Sequence, residues 1–392
     1  MAGAVELDLG PNAAGFRKEV RAWLEANAPA DRRSLDLKAW TQTLREAGYL
    51  CVSWPKEYGG RGLTGIEVAV LNEEFARAGV PRVTMGMGEG LVGPAIILHG
   101  SEEQKAHFLP RIISGEDVYC QGFSEPDSGS DLASLKTRGI VDGDEVIVTG
   151  QKVWTSGFYA ANMMFCLCRT DPDAPKHQGI SYVLIPLKRE DGSPNGIEFR
   201  GLKQMTGESH FAESFLNEAR APLFNVIGGL NHGWKTAMTT LGNERGGNAT
   251  TQHVQFRAEA ERLIEEARRR GKTDDPRVRQ QLAWAWTHVE IMRFRGLQIL
   301  SALAESRDPG PSGSINKMFW SEYQRRMAEI ALEIVGPEAT IRKERDGSAA
   351  WSRWQRTFLT SRSHTIWGGT AEIQRNIVGE KVLGLPKDPG AE

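Results

Sequence analysis

The chain has 392 residues and a formal net charge of −2, from 48 Lys and Arg against 50 Asp and Glu. That balance gives no electrostatic case for nucleic acid or for an anionic membrane. Apolar residues at 40% and charged residues at 25% are ordinary for a globular protein, and the length predicts about two to three domains. The four cysteines, Cys51, Cys120, Cys166 and Cys168, form no Cys-x-x-Cys pair and no zinc spacing, and the eight histidines are scattered, so no metal site is expected. No signal peptide and no membrane-length apolar run are recognisable, which makes a cytoplasmic location the expectation.

Residues 1 to 118 read as helical. Phe16, Val20, Trp23 and Leu24 recur at helical spacing, and Trp40, Leu44 and Ala47 repeat the pattern before Gly48. Trp54-Pro-Lys-Glu-Tyr-Gly-Gly60 is a loop, and Val68 to Ala78 resumes a helix. Ser101 followed by Gln104 predicts a capped helix start, with Pro110 near that helix's end. From 119 to 228 the period changes. Ile140 to Val148 predicts a hairpin turning at Asp142-Gly143, and Met164 to Cys168, Ile180 to Pro186 and Ile197 to Leu202 predict further strands. Strands with no intervening helices argue for an antiparallel sheet or barrel, and no Gly-x-Gly-x-x-Gly or P-loop supports a nucleotide fold of those kinds. From 229 to 392 helix returns: Asn231 is a candidate N-cap, and segments 252–270, 278–305 and 314–335 follow. A tail helix begins near Thr370, which can cap it, with Glu372 in the first turn.

Two short pieces carry the chemistry. Gln121-Gly-Phe-Ser-Glu-Pro-Asp-Ser-Gly-Ser-Asp131 is a turn dense in hydroxyls and glycine, with Ser124, Ser128 and Ser130 as donors to a polar ligand. Gly150-Gln-Lys-Val-Trp-Thr-Ser156 ends a strand with an aromatic face and two hydroxyls, a surface suited to a flat, polar-edged ring system. Pattern alone does not separate this reading from a plain polar turn beside a core strand.

Ser124-Glu-Pro-x-x-Gly-Ser-Asp131, Gly150-Gln-Lys-Val-Trp-Thr-Ser156 and Gly369-Thr-Ala-Glu-Ile-Gln-Arg375 resemble, in order and spacing, the signatures of the acyl-CoA dehydrogenase family. The resemblance implies an α+β fold with an N-terminal helical domain, a central antiparallel β domain and a C-terminal four-helix bundle. It implies FAD as cofactor, an acyl-CoA substrate and an electron-transferring flavoprotein as acceptor. It assigns the flavin site to Gln121, Phe123, Ser124, Gly129, Ser130, Trp154, Thr155, Ser156, Thr370 and Glu372, with Trp154 packed on the ring and the hydroxyls of Ser124, Thr155 and Ser156 at its edge. Ser130 and Arg245 are expected along the CoA arm, and the backbone N–H of Gly368 at the thioester oxygen.

Three departures shape the expectation. The family's usual catalytic glutamate falls on Gly368, which cannot take a proton. The isovaleryl and long-chain branch instead places its glutamate before an arginine on an earlier helix, matched here by Glu244-Arg245. There, Trp234, Ala237, Met238 and Leu241 predict an apolar stripe with Glu244 at its edge. An ion pair is the competing reading for Glu244, and the resemblance favours the base. The family's Arg-x-x-Phe-Gly element is absent from Arg268 to Pro276, and its Gln-x-x-Gly-Gly reads Glu333-Ile-Val-Gly-Pro337. The chain is thus similar to the catalytic subunit of actinobacterial steroid side-chain enzymes, in which two different subunits divide the labour. A homo-oligomer, with Arg268, Arg269 or Arg270 compensating, stays open. So do a noncatalytic subunit and an acyl-CoA oxidase. Gly368, Gly246 and Gly247 leave volume for a branched or ring-bearing acyl group.

Overall fold

In a computed structural model of the chain, residues 11–29, 35–246, 250, 252–304, 312–345 and 348–387 are described, without the side chains of 11, 244–246, 303–304, 312, 343–345 and 348–350. The chain forms two compact units, one of residues 1–84, 248–342 and 374–392, the other of 85–247 and 343–373.

The first unit is helical: α1 (Pro11–Asn27), α2 (Leu37–Glu46), α3 (Gly65–Ala78), and, after the second unit's segment, α7 (Gln252–Arg269), α8 (Pro276–Ala304) and α9 (Ser312–Val335). Its helix starts are set by polar caps. Asp36 accepts the N–H groups of Lys38 and Ala39, and Thr64 and Glu67 form a reciprocal capping box. Trp23, Trp40, Tyr49 and Phe75 pack as one aromatic cluster with centroids 4.5–6.4 Å apart. Across α1 and α3, the buried Glu74 accepts hydrogen bonds from Arg17, Arg21 and Arg77 at 2.9–3.0 Å.

The second unit is built on an eight-stranded sheet. Its strands are β1 (Tyr119–Gly122), β2 (Arg138–Asp142), β3 (Glu145–Ser156), β4 (Met163–Arg169), β5 (Ile180–Pro186), β6 (Ile197–Leu202), β7 (Phe211–Pro222) and β8 (Val226–Ile227). The spatial order is β6-β7-β3-β2-β4-β5-β8, with β1 added on β4. The sheet is mixed rather than wholly antiparallel: β1 runs parallel to β4, and so does the single β2–β4 pair. Six consecutive positions of β4 are buried, so it is covered on both faces, as such a strand must be. Cys166 and Cys168 pack there with Cys120, and burial pushes all three thiols up.

Helices α4 (Gly93–His99), α5 (Glu102–Ser114) and α6 (Gly233–Gly246) belong to this unit. The Ser101–Gln104 capping box forms, and Gln104 Nε2 also donates to the carbonyls of Phe224 and Val226. Asn231 does not cap α6: it sits at φ 66, two residues before the helix, and its Oδ1 accepts from Thr170. The buried face of α6 is Gly233, Thr236, Ala237 and Thr240, and Met238 is exposed. The expected stripe was therefore rotated. The close packing explains it, since a Cβ on Gly233 would lie 2.3 Å from Tyr182 N on β5.

The hairpin β9 (Lys343–Arg345) and β10 (Ser348–Ala350) and the helix α10 (Arg353–Ser361) complete the second unit. Trp351 Nε1 donates to Thr206 O at 2.8 Å, and Arg356 pairs with Glu208. These contacts bring the 343–373 segment onto the loop between β6 and β7. Helix α11 (Ala371–Lys381) starts here, with Thr370 Oγ1 accepting the N–H of Ile373.

Candidate active site

The two motif pieces meet at the end of β3. Glu125 and Ser128 exchange backbone hydrogen bonds of 3.0 and 3.1 Å, which closes the turn around Pro126 and Asp127. Ser124 O accepts the N–H of Val153 at 2.9 Å, joining the turn to the strand. Ser128 is buried, Ser124 is half-buried, and Gly129 and Ser130 are exposed. A Cβ on Gly129 would meet nothing within 4 Å among the described residues, so the space outside it is open there. Gln121 lies half-buried on β1, opposite Phe165 of β4.

Strand β3 is bulged at this point. Lys152 pairs with Ser214 and Thr155 with Ala212 of β7, so β3 carries one extra residue between them. Trp154 takes up the irregularity in the left-handed region at φ 60. For a bulky aromatic residue that conformation costs about 1–2 kcal/mol. The bulge reverses the alternation of the strand. Val146, Val148 and Lys152 point inward, and Trp154, which simple alternation would send the same way, is 58% exposed.

Two of the candidate residues turn their side chains into the interior. Thr155 is fully buried, and its hydroxyl shares a 2.6 Å hydrogen bond with Ser214 of β7. Phe123 is 2% exposed and packs edge-on against Phe165 and Tyr182. Its side chain is core, and only its backbone borders the turn. Ser156 remains half-exposed, with Oγ directed to Trp154 O at 3.5 Å.

Beneath these pieces lies a group the motif reading passed over. Lys152 is fully buried, and its Nζ donates to Phe123 O at 3.0 Å and to Glu125 Oε1 at 2.9 Å. Glu125 also accepts the N–H groups of Lys136 and Thr137 at 2.7 and 2.8 Å. Burial pushes the Glu125 carboxyl up, but the Lys152 charge and the N–H donors outweigh it, leaving it below the usual carboxylate range. The signal in the sequence was a lysine at an inward position of β3, a charge that cannot be buried without a partner.

The C-terminal motif reaches the same side through aromatic contacts. Phe211 lies 6.2 Å from Trp154 and 5.7 Å from Trp367, centroid to centroid. Gly368 and Gly369 follow, both left-handed at φ 61 and 86, a conformation that glycine adopts freely and glutamate does not. Thr370 caps α11 as expected, and Glu372 is exposed in its first turn. Glu244 and Arg245 occupy the last turn of α6, four and five residues after the buried Thr240. Their side chains, and the whole of Gly247, lie outside the described residues. Among the described residues, no cluster of ligand-type side chains could hold a metal ion.

Comparison with known proteins accounts for this arrangement. Residues 11–116, 120–217 and 231–383 match the N-terminal, middle and C-terminal domains of acyl-CoA dehydrogenase. The chain is 38% identical to acyl-CoA dehydrogenase IpdE1 of Mycobacterium tuberculosis over 388 residues, 95% of this chain and 98% of that one. The Tcur3481–Tcur3483 steroid ACAD structure matches with a TM-score of 0.81 at 32% identity, covering 97% of this chain and 99% of that chain. The ChsE4–ChsE5 complex from Mycobacterium tuberculosis matches with a TM-score of 0.79 at 29% identity, covering 98% of this chain and all of that one (100%). The chain belongs to the acyl-CoA dehydrogenase family of flavin-dependent oxidoreductases.

Proposed function

We propose that this chain is a cytoplasmic FAD-dependent dehydrogenase that converts a bulky or branched acyl-CoA thioester to its 2-enoyl-CoA. The observation that carries the reading is Trp154: an indole held outward, at a cost in backbone strain, beside Ser124 and Ser156. A free protein gains nothing by exposing it, whereas a flat ring system laid against it would cover apolar surface. The donor set fits a flavin, with neutral hydroxyls at Ser124, Ser130 and Ser156 and open space outside Gly129. Bound FAD supplies the acceptor for a hydride from the substrate's β-carbon.

The chain's own residues do the rest. Glu244 takes the α-proton, since Gly368 offers no carboxylate. The Gly368 N–H donates to the thioester oxygen and stabilises the charge that develops there as the proton leaves. Ser130 and Arg245 hold the CoA arm. Residues 1–118, 119–228 and 229–392 serve as the three domains of this plan. An electron-transferring flavoprotein takes the electrons away. The association of steroid-type relatives as pairs of differing chains supports a related second subunit here.

The experiment is anaerobic. The purified chain, alone or with such a subunit, is yellow, and an acyl-CoA panel bleaches it, with branched or ring-bearing esters ahead of butyryl-CoA. Glu244→Gln stays yellow and loses about a hundredfold to ten-thousandfold in the bleaching rate. Bleaching of the variant at the wild-type rate removes Glu244 from the mechanism. A colourless protein in every setting removes the enzyme reading.

A further inference from the structure

We infer that Lys152 and Glu125 are positioning residues for the flavin site, acting through the Ser124 turn and the Trp154 bulge. The inference rests on the flavin reading above. Two successive carbonyls of the turn are held by two successive residues of β3: Phe123 O by Lys152 Nζ at 3.0 Å, and Ser124 O by Val153 N at 2.9 Å. Trp154 is the next residue, and it is there that the chain turns left-handed. Lys152 pairs in register with Ser214 of β7, whereas Val153 directs its N–H to the turn. The Lys152 anchor therefore stands where the strand leaves its ladder, and it holds the turn that receives Val153.

Glu125 closes the node from the other side. Its carboxylate binds Lys152 and the start of β2 through Lys136 and Thr137, and its backbone closes the turn with Ser128. Ser124, Gly129 and Ser130 keep exposed surface on one side of the turn, while the Lys152–Glu125 pair that fixes it is buried on the other. Such a buried ion pair is a weak source of stability, since apolar groups of the same shape do as well. What it supplies here is geometry, two carbonyls and an indole fixed relative to one another.

The test uses Glu125→Gln with Lys152→Met, which removes both charges together, keeps one acceptor oxygen beside the Lys136 and Thr137 N–H groups and nearly conserves volume. Removing Lys152 alone would strand a buried carboxylate and confuse folding with positioning. Apoprotein is titrated with FAD, followed by flavin fluorescence and by quenching of tryptophan emission, and the visible circular dichroism of the bound flavin is recorded. The expected result is a thermal midpoint of the apoprotein within about 4 °C of wild type, FAD affinity lowered at least tenfold and a changed visible dichroic band. A merely structural pair would move the midpoint and leave affinity and band alone, which overturns the inference. If the double variant fails to fold, Glu125→Asp, which keeps the charge and both acceptor oxygens but draws them back by one methylene from Lys152 and from the Lys136 and Thr137 N–H groups, carries the test with an expected loss of at least threefold. An unchanged affinity there overturns it equally. Failure of wild-type apoprotein to take up FAD, both alone and with the related subunit, sinks the flavin reading and this one with it, whereas normal uptake by both proteins sinks this one alone.

Discussion

Glu74 and Glu125 are both carboxylates sunk among cations, one in each unit, and they are built differently. Glu74 is bound by three guanidinium groups from two helices, Arg17 and Arg21 on α1 and Arg77 on α3, whose side chains are 18–49% exposed. Glu125 meets one ammonium that is wholly buried, and its other partners are backbone N–H groups of its own locality. The first is over-supplied with charge and ties helix to helix, where a shift of a few tenths of an ångström can be absorbed by long arginine side chains. The second has little slack and fixes a turn against a bulge. A site that must present a ring face and hydroxyls needs the second kind, and a scaffold that must hold two helices can use the first.

The largest effect that separates them is on stability. Burial pushes the Glu74 carboxyl up, but its bonds to Arg21, Arg17 and Arg77 overcome this and bring it from 4.5 to about 2. A folded-state pKa below the unfolded one gives a contribution that is complete above about pH 4.5 and is lost as pH falls through about 2. Glu74→Gln should cost about 3–5 kcal/mol, since three arginines lose a charged partner, and should flatten the acid limb of the unfolding curve. FAD affinity should stay within about twofold of wild type, because affinity follows the geometry of the other carboxylate. A tenfold loss of FAD affinity in folded Glu74→Gln would erase the contrast.

A second effect concerns a region poorer than either. Arg269 and Arg270 both pair with Glu266 at 2.6 Å, and Arg270 also donates to Val335 O and approaches Glu338 at 3.1 Å. Glu333 accepts from Gln281 at 2.5 Å. The arginines proposed to replace the missing Arg-x-x-Phe-Gly element are thus engaged within their own unit. If a neighbouring subunit supplies a charge-assisted bond to flavin, its absence costs about 1.5–3 kcal/mol, or roughly tenfold to a hundredfold in affinity. The chain purified alone should retain less than one flavin per chain, and adding a related subunit that carries the element should raise retention. Absorbance ratios with mass in solution decide it, and a fully flavinated, fully active homo-oligomer would refute the division of labour.

Much of this arrangement was legible in the chain. Ser101 with Gln104, the β2–β3 hairpin and the apolar runs of β4 and β5 are local signals, and local rules read them, although the hairpin turns at Gly143–Asp144, one residue later than expected. Strand β7 escaped because its inward residues Ala212, Ser214, Ala219 and Ala221 are small, with only Leu216 large, so its alternation carries little hydrophobic contrast. Helix α10 escaped although Ser352 and Gln355 form the same capping box as Ser101 and Gln104. Its segment was covered only by the motif that follows. At the candidate site, the turn and the strand end that the motifs singled out do adjoin, through Ser124 O and Val153 N. The direction of Thr155 was not readable, because one bulge residue inverts the alternation after Lys152 and nothing local announces a left-handed tryptophan.

Gly150 offers a smaller effect on the same strand. A Cβ there would lie 2.5 Å from Thr137 Oγ1 and 2.8 Å from Thr137 Cα, and backbone cannot swing aside. Gly150→Ala should cost about 1–3 kcal/mol by overpacking, read as a fall in the thermal midpoint. Because Thr137 N is one of the donors to Glu125, the displacement should also weaken FAD binding severalfold. Loss of stability with FAD affinity intact would show that the node tolerates more movement than its contacts imply.

The smallest predicted change in stability is the sharpest test of strain at Trp154. Glycine at 154 relieves a left-handed conformation worth about 1–2 kcal/mol but loosens the unfolded chain by about 0.5–1 kcal/mol and forfeits the edge contact with Phe211. The terms nearly cancel, so Trp154→Gly should leave the apoprotein's midpoint within about 2–4 °C of wild type. The same substitution removes the only residue of β3 that is both aromatic and exposed, and FAD affinity should fall about tenfold or more, by the worth of a stacked face. Trp154→Phe keeps the conformation and most of the face, and should fall between. If Trp154→Gly instead destabilises the apoprotein by several kcal/mol while FAD binds as before, the indole is a structural plug, and Lys152 and Glu125 would be holding a core residue rather than a cofactor wall.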